Sequence, residues 1–330
     1  QTVYTRPPDD QKQTSKQTTL AVRAGRIYTA SDGQITDGLI LIEDSKISYV
    51  GPAKTTPPDT KILDASGSVV IPGLIDIHSH LGLHADSEPV QLNPSPLTTG
   101  SSFGAGKLAS IANAVAPKDE AFQEVTRRGI TSVLLAPSPT GLVSGNGALI
   151  KTAGVEAKDM VVKEYAAVIF SMLGGGQRLA KAWQARSLLK SAKEYAEKWD
   201  KYEREHGEYE HRKATTTEDA ELKEPDRPGR DVNLELLRGL FKRKMPAIVH
   251  ANRTDEILGT LKVFREEYNL DVIILGGGDS FRIAGELKKH RADVAIGPEI
   301  LQYEKGKAFN NADILNQLGL RVAFHTSATS

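Results

Sequence analysis

The run LIDIHSH ends in His78-Ser79-His80, two imidazoles one residue apart at the close of an apolar segment. On an extended strand, residues i and i+2 project to the same face, so the two rings point the same way. Two neutral imidazoles converging at a strand end are half of a typical zinc or iron site. Asp76, two residues earlier on that face, is placed to orient a ligand histidine from behind. The rival reading is a pair of structural histidines satisfied by backbone groups. The chain has no cysteine, which removes thiolate zinc sites, Fe–S clusters, disulfide scaffolds and cysteine nucleophiles together. Any metal must then be held by His, Asp, Glu or a modified Lys.

Other chemistry is less well signalled. The glycine triplets at 174–176 and 276–278 follow apolar runs, and such loops can turn backbone N–H groups towards an anion. They lack the Lys-Ser/Thr context of a nucleotide loop and read as tight turns or close backbone approaches. Ser144, in LVSGNG, lacks the strand–Ser–helix setting of a nucleophile elbow.

The elements that must position these residues follow from the pattern of the chain. Residues 1–17 are polar and aperiodic, a flexible arm. Residues 18–66 carry short β runs (TLAVRAG, RIYTA, GLILIED, KISYVG, KILDA) broken by Ser-Asp-Gly and Ser45. Ile47 and Tyr49 alternate with Lys46 and Ser48, which predicts half-buried antiparallel strands of a small β domain, part of a composite β-sandwich. Over 67–330 eight apolar runs follow: VVIPGLIDIHSH, TSVLLAPS, GALIKTA, YAAVIFSML, PAIVHAN, DVIILGGG, DVAIGPE and RVAFHTS. Amphipathic stretches at 119–128, 231–244, 255–268 and 280–290 lie between several of them. Continuous apolar strands alternating with helices predict a parallel sheet, and eight of them predict a (β/α)8 TIM barrel with its chemistry at the strand C-terminal ends.

A charged helical insert at 178–230 interrupts the barrel. Between 191 and 230, 21 of 40 residues are charged. Tyr195, Trp199 and Tyr202, with Ala192 and Ala196 beside them, recur at helical spacing. This stripe docks the insert onto the barrel, with a partner-binding face as the alternative. The tail from EYEHRKAT to RPGR reads as a solvated loop.

Composition closes off several classes. The 330 residues hold 42 basic and 42 acidic side chains, without the concentrated basic face that a nucleic-acid binder needs. No apolar stretch approaches the roughly 20 residues that span a bilayer. The lack of cysteine suits an oxidising compartment, though a cytosolic protein can also lack it, and Gln1 rather than Met at the first position fits either a removed export signal or numbering from a fragment; the expectation is an exported, periplasmic or other non-cytoplasmic protein.

The segment VVIPGLIDIHSH, preceded by GRIYTASDGQITDGLILIEDSKISYVGP, resembles the amidohydrolase superfamily, and within it the imidazolonepropionase-like and prolidase-like branch. The resemblance covers about residues 18–330. It implies hydrolysis of C–N bonds in cyclic amides, amidines or peptides, with one or two divalent metals at the barrel mouth. The implied ligands are the strand 1 His-x-His, histidines ending strands 5 and 6, and an Asp ending strand 8, with a carboxylated Lys or Glu on strand 4 in two-metal members.

Matched residue by residue, His78 and His80 fall on the strand 1 pair and His250, in PAIVHAN, on strand 5. Strand 6 ends in Gly276, Gly277 and Gly278, with Gly277 at the degenerate ligand position. Strand 8 puts Ser327 where the Asp is expected, and a serine hydroxyl is a weak ligand and no general base at neutral pH. His325, two residues earlier on the same face, is the candidate substitute, with a second-layer core or surface histidine as the alternative. His84 reads as a loop histidine, and Asp279 as a cap for the following helix. Lys163 and Glu164 lie at the wrong end of strand 4 for a bridging second metal, and Lys151 ends its strand as a solvated lysine.

The expectation is therefore a site of three histidines (His78, His80 and His250) for one zinc or iron ion. Hydrolysis is expected to be reduced or lost because the strand 6 His and strand 8 Asp are absent. The alternative is a pseudoenzyme, a noncatalytic amidohydrolase-like structural or binding subunit of a larger complex. The resemblance further implies C-terminal β strands that are absent here, hence an oligomer or a companion polypeptide or C-terminal fragment completing the fold.

Overall fold

The computed structural model describes residues 19–31, 33–83, 110–139, 141–174, 178–215 and 222–326. The arm at 1–17, His84 and Ser327 lie outside the described residues. The chain separates into two compact units, residues 1–73 and 74–330.

The first unit holds β1 (Thr19–Tyr28), β2 (Gln34–Glu43), β3 (Lys46–Pro52) and β4 (Lys61–Val70) in the order β3-β2-β1-β4. β1–β2 and β2–β3 are antiparallel. The β2–β3 hairpin turns at Asp44 and Ser45, both with positive φ (48° and 63°), as a two-residue turn matched to strand twist requires. Two expectations are corrected here. TLAVRAG and RIYTA form one continuous strand, and β4 pairs parallel with β1. β4 also carries the small sheet on to Val70, beyond residue 66. Ala21, Leu39 and Leu41 form the buried face, with Tyr49 packed against them.

The second unit is an eight-stranded, nearly closed barrel wrapped by helices. Its elements in chain order are β5 (Leu74–Ser79), α1 (Glu120–Arg127), β6 (Ile130–Leu135), β7 (Val143–Lys151), α2 (Ala157–Met160) and β8 (Val161–Ser171). There follow α3 (Arg178–Thr215), α4 (Val232–Phe241), β9 (Ala247–Ala251), α5 (Thr254–Thr260), extended by a π-helical turn at Leu261–Glu267, and β10 (Val272–Gly276). The unit closes with α6 (Ala284–His290), β11 (Asp293–Ile296), the hairpin β12 (Leu301–Glu304) and β13 (Lys307–Asn310), α7 (Asn311–Gln317) and β14 (Val322–Phe324). The barrel order is β5-β6-β7-β8-β9-β10-β11-β14, so all eight expected runs become barrel strands.

Strand direction departs from expectation at one place. β7 runs antiparallel to both β6 and β8, while the other neighbouring pairs are parallel. The connection at 136–142 is shorter than the dozen or so residues a parallel crossover needs. The reversal sends Lys151 away from the mouth, opposite Ser132 near the entry of β6, and brings the start of β7, including Ser144, to the mouth end.

Helix starts follow local chemistry. The Asp119 carboxylate accepts the Ala121 N–H at 2.9 Å, and Asp231 accepts those of Asn233 and Leu234 at 2.8 and 3.1 Å, each satisfying amides that have no intrahelical partner. The principal core lies between sheet and helices and includes Phe170, Leu237, Ile257 and Phe264, with the two phenylalanine rings edge to face at 4.9 Å.

The insert is a single long helix, α3. Ala192, Tyr195, Ala196 and Trp199 are buried, and the Tyr195 hydroxyl donates to Glu235 of α4 at 2.8 Å. Arg238 of α4 stacks over Trp199 and pairs with Asp200 and Glu203, so the aromatic stripe is a docking face. Helix continues through EYEHRKAT to Thr215, where a solvated loop was expected. Among the described residues, no helix is long and apolar enough to cross a membrane.

Candidate functional site

Three barrel strands deliver histidines to the mouth. β5 carries His78 with His80 just beyond its end, β9 carries His250 as its penultimate residue, and His325 follows β14. The ring of His78 is central, with its centre 5.0 Å from that of His80, 4.9 Å from His250 and 5.9 Å from His325, each pair edge to face. His78, His250 and His325 are buried. Sequence spacing linked His78 to His80, and the resemblance linked both to His250. The strand 8 candidate, His325, joins them with its ring centre 5.9 Å from that of His78.

Burial and the neighbouring His250, His80 and His325 push the His78 pKa down to about 2. Burial, then His325 and His80, lower that of His250 to about 4. A low-dielectric setting disfavours imidazolium, so both rings are neutral, the state that ligates a metal. His80 Nδ1 lies 2.6 Å from the Ala136 carbonyl oxygen. A carbonyl only accepts, so Nδ1 carries the proton and Nε2 keeps its lone pair, the arrangement of a ligand histidine fixed through its far nitrogen.

Both ring nitrogens of His250 are buried without a hydrogen-bond partner, a costly state for a polar group that nothing else satisfies. Imidazoles bound at 2.0–2.1 Å around a tetrahedral ion have ring centres about 5 Å apart, and the spacing around His78 is of that size. The donors fit in type. Among the described residues, no group of three or more His, Cys, Asp or Glu side chains is arranged to hold a metal ion.

Asp76 has a different task from the one expected of it. Its Oδ1 accepts the His78 N–H at 3.1 Å and the Thr326 N–H at 3.3 Å, and the Thr326 hydroxyl donates to Oδ2. The carboxylate ties the first barrel strand to the residues after the last one, closing the seam beneath the histidines. Asp279 is also reassigned. Its carboxylate accepts the Thr254 N–H at 2.9 Å and so serves the start of α5 rather than the following helix.

The strand 6 exit is rebuilt around glycine. Gly276 and Gly277 have φ of 92° and 57°, a region that favours glycine. A Cβ on Gly276 would lie 2.1 Å from the Asn252 Oδ1, and one on Gly277 2.6 Å from the Ser280 Oγ and 2.8 Å from Val294. Asn311 clamps the Gly277 carbonyl at 2.9 Å.

One buried cluster escaped the sequence reading. Glu256 accepts the N–H groups of Asn252 and Arg253 at 3.0 and 3.2 Å and that of Gly174 at 3.3 Å, joining the exits of β8 and β9. Lys181 Nζ folds back to donate to the carbonyls of Ser171 and Leu173. Burial lowers its pKa, and the Glu256 charge opposes this. An i to i+3 capping relation before α5 was the available signal for Glu256; Lys181 had none. Ser144 Oγ is buried without a hydrogen-bond partner. Lys163 and Glu164 are exposed on the entry half of β8, with Lys163 donating to the Lys244 carbonyl at 2.8 Å.

No family model matches the chain. A dihydroorotase of Mycobacterium tuberculosis is 30% identical over 147 residues, 43% of this chain and 31% of that protein. An imidazolonepropionase of Salinispora arenicola is 31% identical over 113 residues, 32% of this chain and 29% of that protein. The chain thus spans about a third of the length of these curated relatives. A solved amidohydrolase from Thermotoga maritima shares the fold, with a TM-score of 0.73 at 21% identity over 93% of this chain and 78% of that one. A barrel of this topology, a His-x-His at the end of its first strand and these partial likenesses in sequence make the chain similar to members of the amidohydrolase superfamily.

Proposed function

We propose that the chain hydrolyses C–N bonds of cyclic amides or peptides with a metal-activated water, at a rate reduced by the missing strand 6 His and strand 8 Asp. The observation that carries this reading is the grouping of neutral, buried His78 and His250 with His80 at one barrel mouth. His78, His80 and His250 would hold one zinc or iron ion, which supplies Lewis-acid polarisation of the carbonyl and a lowered pKa for bound water. The Ala136 carbonyl fixes the His80 ring, and the seam at Asp76 and Thr326 holds β5 against the residues after β14. Burial keeps the His78 and His250 imidazoles from taking protons.

The test is metal content and amide hydrolysis in one preparation. The expected result is about one equivalent of zinc or iron, as a three-histidine site takes, with slow hydrolysis of cyclic amides or dipeptides that disappears in His250→Ala. A chain that takes up no metal, or hydrolysis unchanged in His250→Ala, overturns the reading.

The rebuilt strand 6 exit favours a second reading, a noncatalytic structural or binding subunit. Gly276 and Gly277 supply no side chain where the family pattern has a ligand, and Asn252, Ser280 and Val294 occupy the space one would need. Metal uptake without hydrolysis across the substrate panel would support this reading over the first.

Completion by a companion polypeptide or C-terminal segment belongs to the same proposal. β4 is an edge strand whose Ile62, Leu63 and Val69 are about half exposed, an unusual apolar edge for a strand left unpaired. A native mass equal to one 35.8 kDa chain would sink it. The cysteine-free composition supports an exported location, which cell fractionation tests.

A further inference from the structure

Two of the mouth histidines are held by different means. The His80 ring is fixed through Nδ1 by the Ala136 carbonyl. Neither ring nitrogen of His250 has a hydrogen-bond partner, so the place of that imidazole is set by the backbone that carries it and by packing. We infer that Glu256, with Lys181 as its counter-charge, is a positioning residue for His250, acting through the backbone to fix the β9 exit against that of β8. For its effect on turnover the inference rests on the hydrolytic reading above; for its geometry it does not.

The carboxylate divides its oxygens between the two strands. Oε2 accepts the Asn252 N–H at 3.0 Å and the Arg253 N–H at 3.2 Å, and Oε1 accepts the Gly174 N–H at 3.3 Å. The strands are already joined at the imidazole, where the Met172 N–H donates to the His250 carbonyl at 2.9 Å. Asn252 lies two residues past His250, and Gly174 two residues past Met172. Glu256 thus clamps both chains the same number of residues beyond the ring. Lys181 Nζ holds the β8 side as well, donating to the carbonyls of Ser171 and Leu173 on either side of Met172.

A helix cap alone does not need this arrangement. Asp231 caps α4 from an exposed position, whereas Glu256 is 4% exposed and its bond to Gly174 spans 82 positions. Burying a carboxylate is costly unless hydrogen bonds and an opposite charge compensate. Three amides supply the first, and the Lys181 ammonium, which feels the Glu256 charge, supplies the second. Precision at the mouth is what such an outlay secures, since a reacting group misplaced by about 1 Å can cost on the order of 100-fold in rate.

The test is the imidazole 15N spectrum of the full chain at a fixed pH of about 8, where an ordinary histidine is neutral, read beside steady-state kinetics. The His250 signals are assigned by their loss in His250→Ala. Those of His80 and His290, held by contacts of their own, serve as references. Glu256→Gln keeps the shape of the side chain but leaves one acceptor oxygen for two strands. It should move the His250 signals and leave the references in place, and kcat should fall roughly 10- to 100-fold with KM within about twofold. Lys181→Met, a milder change at a half-buried position, should move the same signals in a chain whose far-UV circular dichroism is unaltered, and it decides the matter if Glu256→Gln does not fold. The double variant should lose no more than Glu256→Gln alone if the pair acts as one unit; losses that multiply overturn the role of Lys181. Folded variants with unmoved His250 signals overturn the inference, as do shifts shared equally by His250, His80 and His290, which mark a merely structural role. If the unaltered chain hydrolyses none of the cyclic amides or dipeptides, the hydrolytic reading falls, while the spectra still decide whether Glu256 sets the ring.

Discussion

The exits of β9 and β10 are hydrogen-bonded neighbours in one sheet, with His250 paired to Leu275 and Ala251 to Gly276, yet they have opposite characters. At β9 a buried imidazole stands with both nitrogens unsatisfied. At β10 the side chain is gone, and the backbone turns through positive φ against Asn252. The first exit keeps a donor at a cost to stability. The second offers no side-chain donor, and Asn252, which follows β9, fills part of the room beside it. A ligand set is thus a property of neighbouring exits together, and a residue lost from one of them becomes hard to restore once its surroundings have closed in.

Putting a side chain back at β10 gives the largest expected effect. Gly276→His should destabilise the protein by about 2–5 kcal/mol, from strain at positive φ together with overpacking against Asn252, read as a lower urea midpoint. A variant that melts like the parent would break the comparison, because the exit would then still have room for a ligand. Next comes the seam. Asp76→Ala leaves two backbone N–H groups and the Thr326 hydroxyl without their acceptor, and a loss of about 1–3 kcal/mol is expected in the same assay.

The β9 exit should respond with the opposite sign. His250→Leu removes two unsatisfied buried nitrogens at similar volume, so the metal-free protein should change by less than about 1 kcal/mol, towards greater stability, while metal uptake falls. A large loss of metal-free stability would mean that the imidazole is structural, and the contrast with β10 would lose its basis. As a baseline, Arg321→Ala removes an exposed pair with Asp293 near the entry of β11. It should shift thermal unfolding by no more than about 0.5–1 kcal/mol, which sets the scale for the others.

Much of this was legible along the chain because it is written in local periodicity. The eight apolar runs, the small β domain, and the helices at α1, α4 and α6 each depend on which face of a short segment is apolar and on punctuating residues such as Asp119 and Asp231. The pairing of His78 with His80 follows from the two-residue period of a strand. The direction of β7 was also available, in the shortness of 136–142, but a count of apolar runs is blind to connection length. The α3 helix running on through EYEHRKAT was obscured by its charge, since solvent-exposed helix and solvated loop share a composition.

By itself, then, the sequence determined the barrel strands, the His-x-His at the end of the first of them, and the glycines at the end of strand 6. Tertiary structure decided how close His325, already a candidate by its place in strand 8, comes to His78, and it alone decided that Asp76 closes a seam instead of orienting a ring, and that Glu256 and Lys181 join the exits of β8 and β9. The physical reason is separation along the chain. Asp76 and Thr326 are 250 positions apart, and periodicity reports only which way a residue faces within its own element. What it faces is settled when the sheet curls and its first and last strands meet.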